Sequence, residues 1–71
     1  MKRKPIESTC IDEAGYDEKT KTLEVRLTFG KLVYRYKDVS PLEYSRFMAA
    51  ESKGQFFNSI IKRHDYELVT E

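Results

Sequence analysis

Two alternating segments on either side of Gly30 constrain the fold more than any other feature of the sequence. Residues 22–29 (TLEVRLTF) alternate apolar and polar side chains, as in a strand with one buried face. Residues 31–37 (KLVYRYK) alternate in the same way, and Gly30 can adopt the positive φ that a tight turn needs. The pattern therefore predicts an antiparallel hairpin that pairs three sets of inward-facing residues: Leu23 with Tyr36, Val25 with Tyr34, and Leu27 with Leu32.

The loop of this hairpin has two interpretations. A two-residue Phe29-Gly30 loop gives the pairing above, whereas a bulged three-residue loop would disturb it. By the period of a strand, Tyr34 and Tyr36 face inward, and Phe29 continues the inward set of the preceding strand. Arg35 and Lys37 face outward.

The flanking segments predict an α+β fold, with a three-stranded antiparallel meander followed by two short helices. A first strand is expected at about residues 8–16, followed by a polar turn at 17–21, and a short edge strand is expected at 66–69 (YELV). Two helix starts carry capping signals, Ser40-Pro41-x-Glu43 and Ser52-x-x-Gln55. Val39 is placed to pack on Tyr44, and the second helix is expected to run to about Lys62.

Composition favours one small domain over residues 1–71, with a basic, flexible N-terminus at 1–7. The chain has 71 residues and one cysteine, Cys10, so no disulfide can form within it. The lone thiol is typical of a reducing, cytoplasmic location. The single histidine, His64, predicts no metal site, and no stretch predicts a cofactor or a membrane span. So small a core is stabilised by good packing or by assembly into a homo-oligomer.

Charge distribution is more informative than the net charge of +1, which argues against indiscriminate phosphate binding. Acidic residues are concentrated in residues 5–24 and basic residues in 25–63. A basic side of the molecule is one interpretation, and a salt-bridged, solvated surface is the other.

Catalysis has little support in the sequence. His64 and Asp65 are adjacent and would diverge on a helix, and no phosphate-binding loop motif is present. The segment 52–58 (SKGQFFN) carries a stronger signal, since a helix that starts with Ser-Lys-Gly can present free N–H groups to a phosphate. The alternative is an ordinary capped helix whose glycine allows close packing.

The candidate ligand-binding residues combine aromatic rings, cations and this helix start. Bases stack on tyrosine rings, and phosphates are held by lysine, arginine and free N–H groups. Tyr66 is a further ring that could stack. The predicted set is Tyr34, Arg35, Tyr36, Lys37, Ser52, Lys53, Gly54, Asn58, Lys62 and Arg63, with no catalytic or metal-binding member.

An ordered set of short motifs resembles the KTSC domain, a small domain named for the C-terminus of some lysyl-tRNA synthetases. The set comprises the ST-x-I-x-x-A-G-Y-D segment from Ser8, the Y-x-Y of Tyr34 and Tyr36, and the S-x-G-x-F-F-N of residues 52–58. The resemblance spans about residues 8–67. It implies a small α+β domain without known catalytic activity, and an association with RNA.

Three functions are consistent with these observations. The first is a non-catalytic module that binds nucleic acid, most simply RNA, through basic and tyrosine side chains. The second is a homo-oligomer that binds or sequesters a small signalling nucleotide between subunits. The third is a protein-interaction module that docks through a sheet edge or an exposed aromatic patch.

Overall fold

A five-stranded antiparallel sheet carries the fold, and the computed structural model describes residues 1–70. The strands lie side by side in chain order, so every connection joins neighbours. Two helices and a 3₁₀ helix separate the fourth strand from the fifth, which confirms the α+β class. The strands are β1 (Lys4–Pro5), β2 (Ile11–Asp17), β3 (Thr22–Leu27), β4 (Val33–Tyr36) and β5 (Tyr66–Val69).

The predicted register of the central hairpin is confirmed. Leu23 lies opposite Tyr36 and Val25 opposite Tyr34, and the Leu27 N–H donates to the Leu32 carbonyl at 2.9 Å. The loop spans residues 28–31, longer than either predicted loop, with positive φ at Gly30 (76°) and Lys31 (53°). Because β3 ends before it, Phe29 does not continue the inward set as predicted, and its side chain is 82% exposed.

Both predicted helix caps are present. The Ser40 Oγ accepts the Glu43 N–H at 3.1 Å and starts α1 (Pro41–Ala49). The Ser52 Oγ accepts the Gln55 N–H at 3.3 Å and starts α2 (Lys53–Ser59). This helix is shorter than expected, because the chain tightens into a 3₁₀ helix at Ile61–Arg63, where the His64 N–H bonds back to Ile61.

The core lies between the inner face of the sheet and the helices. Phe47, Phe57 and Ile61 from the helical half are almost fully buried and pack with Leu23 and Val25 of β3. The apolar sides of the helices therefore face the sheet. None of the helices within residues 1–70 is long and apolar enough to cross a membrane.

The N-terminal residues, expected to be flexible, instead form an element of the sheet. β1 pairs with β2, placing Lys4 opposite Ala14, and Ile6 is buried behind it. Gly15 makes this approach possible, since a Cβ there would lie 2.4 Å from the Lys2 carbonyl oxygen. The residues before β1 therefore close over the outer face of the sheet.

Candidate functional site

Tyrosines of two adjacent strands meet on the inner face of the sheet, at the edge that the helices leave open. β4 places Tyr34 and Tyr36 there, and β5 adds Tyr66 opposite Tyr36. The Tyr66 ring centroid lies 5.3 Å from that of Tyr34 and 5.6 Å from that of Tyr36. Tyr66 is 58% exposed, Tyr34 is half-buried and Tyr36 is only 4% exposed. The inward orientation predicted for Tyr34 and Tyr36 is confirmed, and the cluster runs from solvent into the core.

Tyr36 anchors this cluster to the helices. Its ring meets the edge of Phe57 with centroids 5.4 Å apart, an arrangement that aromatic pairs favour. Burial is the main cause that raises the pKa of Tyr36 to about 12, and the nearby phenols of Tyr34 and Tyr66 raise it further in the same direction. The phenol is therefore neutral at physiological pH.

Lys62 is a basic residue beside the tyrosines. Ile61 of the 3₁₀ helix is buried, and its neighbour Lys62 places Nζ 5.6 Å from the centroid of Phe57. This spacing is within the range of a cation–π contact. Five residues enclose a cleft of about 300 Å³, called here the tyrosine cleft: Leu27, Tyr34, Tyr36, Lys62 and Tyr66.

Arg35 and Lys37 lie on the outer face of the sheet, away from the tyrosine cleft. The Arg35 Nε bonds to a carboxylate oxygen of Glu24 at 2.8 Å, and the Glu24 residue is only 3% exposed. This hydrogen bond is the main reason that the pKa of Arg35 is raised. Lys37 is exposed beside Arg35 and Glu67. The structure therefore does not bring these two cations together with Lys62.

An ion-pair network occupies the outer face around Glu24. Arg3 donates to the second Glu24 oxygen at 2.7 Å and also lies 3.2 Å from Glu13. Glu13 in turn lies 3.2 Å from Arg26. Cross-strand register accounts for this network, because Glu13 pairs with Arg26 and Glu24 with Arg35 on the same face.

The α2 start differs from the phosphate site that its sequence suggested. The Lys53 Nζ donates to the Ala50 carbonyl at 3.2 Å, so this cation folds back onto the end of α1. Gly54 is buried, and a Cβ there would lie 3.5 Å from Ser8 Oγ and 3.6 Å from Cys10 Sγ. α2 therefore packs on the segment before β2, and a Cβ at position 54 would make only ordinary van der Waals contacts there.

The surface around this helix start also carries negative charge. Ser52 and Asn58 line the same depression as two acidic residues, Glu7 and Glu51, and one basic residue, Lys53. The Ser52 hydroxyl already accepts the Gln55 N–H. The negative charges of Glu7 and Glu51 disfavour a bound phosphate at this helix start. The predicted site residues therefore do not form one site. They lie in three places: the tyrosine cleft, the outer face and the α2 start.

Arg63 is exposed on the 3₁₀ helix next to Lys62, on a different element from Arg35 and Lys37. Leu27, which lines the cleft, and Leu68, which is exposed on the same face of the sheet, were not among the predicted site residues. Strand alternation in β5 could have identified Leu68, because it places Leu68 on the same face as Tyr66. In the structure the Leu68 residue is 56% exposed.

Comparison with known proteins identifies the family. The KTSC domain family matches residues 7–66. This chain belongs to the KTSC domain family. A protein of Tsukamurella paurometabola is 43% identical over 58 residues, which cover 82% of this chain and 85% of that protein. The crystal structure of a KTSC domain protein from Yersinia pestis is similar, with a TM-score of 0.92 and 31% identity over 97% of each chain.

The family match places the tyrosine cleft within the KTSC domain. It includes all of β4 and ends at Tyr66, the first residue of β5. It also contains Ser8, Cys10 and Gly54, so two motif segments distant in the sequence pack on each other. The Ser8 Oγ accepts the Cys10 N–H at 3.2 Å, which gives this serine a role in the turn before β2.

Proposed function

We propose that this KTSC domain is a non-catalytic module that binds single-stranded nucleic acid, most simply RNA, at the tyrosine cleft. The observation that supports it is the exposed Tyr66 ring packed against Tyr34, with Lys62 lining the same cleft. Bases of single strands stack on tyrosine rings, and a lysine beside them can hold the phosphate that follows.

Stacking is the main source of affinity in this proposal. Each base stacked on an aromatic side chain contributes about 1–3 kcal/mol. Tyr66 is the first platform because it is 58% exposed, and the half-buried Tyr34 is the second. Tyr36, at 4% exposure, acts below them as support.

Charge contributes less than the sequence suggested, because Arg35 is engaged by Glu24 and Lys53 by a carbonyl. Lys62 and Arg63 remain as the cations that accompany the cleft. For a single strand, two phosphate contacts give a slope of about −1.4 in log K against log salt concentration. Contacts from all five predicted cations would give about −3.5.

A non-catalytic role is consistent with the positions of the reactive side chains. The His64 Nε2 contacts the Glu43 carboxylate, which ties the end of the 3₁₀ helix to α1. The hydroxyls of Ser8, Ser40 and Ser52 accept backbone N–H groups in turns and helix caps. These groups stabilise the fold, which leaves the cleft with aromatic rings and a cation.

Fluorescence anisotropy with labelled oligo(U) and oligo(A) RNA of about eight nucleotides tests the proposal, since single-strand sites span about 4–16 nucleotides. We expect Tyr66→Ala to weaken binding about 5- to 150-fold, and Tyr66→Phe to retain it. Phe29→Ala, which removes an exposed ring outside the cleft, is the matched control. Equal affinities for Tyr66→Ala and the wild type would place the RNA elsewhere.

A salt titration separates stacking at the cleft from binding by general charge. We expect a slope near −1.4 for the wild type and near −0.7 for Lys62→Ala, with Lys19→Ala in the exposed turn unchanged. A wild-type slope near −3.5, unaltered by Lys62→Ala, would contradict the proposal.

We infer a small signalling nucleotide as the second candidate ligand, because the cleft already offers a ring and a cation. The volume of the tyrosine cleft, about 300 Å³, is at the lower limit of volumes found for ligand pockets. A nucleotide would therefore need a second subunit to cover it. Native mass spectrometry of protein purified directly from cells distinguishes the two ligands, since a nucleotide-sized mass on an oligomer supports this candidate over RNA.

A further inference from the structure

The two edges of the sheet differ in how well they are protected against pairing with another strand. β1 has only Lys4 and Pro5, and both residue types block strand addition, one by charge and the other by lacking an N–H. β5 spans Tyr66–Val69 and has neither lysine nor proline. Within residues 1–70, no strand lies beyond it in the sheet. The β5 edge is therefore open to strand addition.

The hydrogen bonds to β4 show which β5 groups point out of the sheet. The Lys37 N–H donates to the Asp65 carbonyl at 2.8 Å, so these two residues form a hydrogen-bonded pair. In an antiparallel ladder such pairs alternate, which directs the backbone groups of Glu67 and Val69 toward β4 as well. The N–H and C=O groups of Tyr66 and Leu68 consequently face the open edge.

We propose that β5 pairs antiparallel with the β5 of a second copy of this chain, about a two-fold axis beside Leu68. The pairing places Leu68 opposite its own copy, Glu67 opposite Val69 and Tyr66 opposite Thr70. About six backbone hydrogen bonds form, from the outward groups of Tyr66, Leu68 and Thr70 in both copies. This inference is independent of the ligand at the tyrosine cleft.

Charge disfavours the alternative register with its axis at Glu67. A shift of the axis to Glu67 would place the two Glu67 carboxylates directly opposite each other, and like charges at such positions destabilise a sheet. With the axis at Leu68, each Glu67 instead faces an aliphatic side chain and keeps Arg35 near it on its own sheet. The strand is therefore self-complementary, as a two-fold interface requires.

The exposed apolar side chains beside this edge favour a second copy as the partner. Leu68 is 56% exposed and Leu32, just before β4, is 44% exposed. Both lie on the inner face with Tyr66, where the second copy would present the same residues. The continuous sheet would bring two tyrosine cleft edges together and remove apolar area from water.

Sedimentation or light scattering over a dilution series tests the assembly. The chain has a mass of 8.4 kDa, and we expect twice that mass for the wild type. Leu68→Lys should give the monomer mass, since an edge lysine opposes pairing. Leu42→Lys, at a 61% exposed position on α1, should remain dimeric. Circular dichroism confirms that each variant is folded, and a monomeric wild type at every concentration would overturn the proposal.

Cysteine cross-linking in a Cys10→Ser background tests the register. Residues opposite each other in a hydrogen-bonded pair have Cα atoms about 5.5 Å apart, a spacing that a disulfide can span. Leu68→Cys should therefore form a covalent dimer under mild oxidation, and Glu67→Cys, whose copies are offset, should do so much less. Preferential cross-linking of Glu67→Cys would overturn the proposed axis.

Discussion

The buried carboxylate of Glu24 is the point at which the outer face is most sensitive to substitution. Its side chain is 4% exposed and holds Arg3 at 2.7 Å and Arg35 at 2.8 Å. Glu24→Gln retains the shape and removes the charge. We expect this substitution to destabilise the protein far more than the loss of an exposed ion pair would.

The magnitude depends on how buried each cation is. Breaking a fully buried ion pair costs about 3–5 kcal/mol, because the remaining charge is left uncompensated. Here the Arg35 side chain is 41% exposed and retains water, while Arg3, at 13%, retains Glu13. We therefore expect a loss of about 2 kcal/mol in the free energy of unfolding, or roughly 8–16 °C in Tm for a domain of this size.

Thermal and urea unfolding of wild type, Glu24→Gln and Asp12→Asn measure this effect. Asp12→Asn is the matched control, because it removes the Lys31 ion pair, whose side chains are 60% and 46% exposed. This loss should stay below about 1 kcal/mol. If Glu24→Gln unfolds within about 0.5 kcal/mol of wild type, Glu24 does not hold the outer face together.

Two further predictions concern Tyr36 and Gly15. The pKa of Tyr36 is raised to about 12, so the unfolded chain ionises this phenol first, and stability should fall by about 2 kcal/mol as the pH rises from 10 to 12. In urea unfolding across this pH range, Tyr36→Phe should reduce that fall, and an unchanged fall would assign it to other groups. Gly15→Ala should cost about 1–3 kcal/mol, because its Cβ would collide with the Lys2 carbonyl. The same substitution in a chain lacking residues 1–3 should cost much less, and an equal cost in both backgrounds would refute the clash.

The hairpin could be predicted from the sequence because the period of a strand permits only one inward-facing set. Alternation on both sides of Gly30 determined that Leu23, Val25 and Tyr34 share a face. The register persisted although the loop is longer than predicted, because Leu27 and Leu32 still close it. The helix caps at Ser40 and Ser52 could also be predicted, because each consists of one serine hydroxyl that accepts the backbone N–H three residues later.

Contacts between distant segments could not be predicted in this way. Lys4 and Pro5 lack any strand pattern, and their pairing depends on the missing side chain of Gly15. The hydrogen bond from Lys53 to the Ala50 carbonyl is local, but it depends on the conformation of the segment between the helices. The separation of Arg35 from Lys62 could have been predicted from the sequence. The helices must cover the apolar face of the sheet, and strand alternation places Arg35 on the opposite face.

The two faces of the sheet differ in the chemistry they can offer a ligand. On the outer face, nucleic acid would have to compete with the Glu24 carboxylate for Arg35, which would remove one of the two ion pairs of this buried charge. On the inner face, Tyr66 and Lys62 line an open cleft. Binding there would rely on stacking, and every base has a face that can stack. We therefore expect the domain to prefer single strands over duplexes and to discriminate little between base sequences.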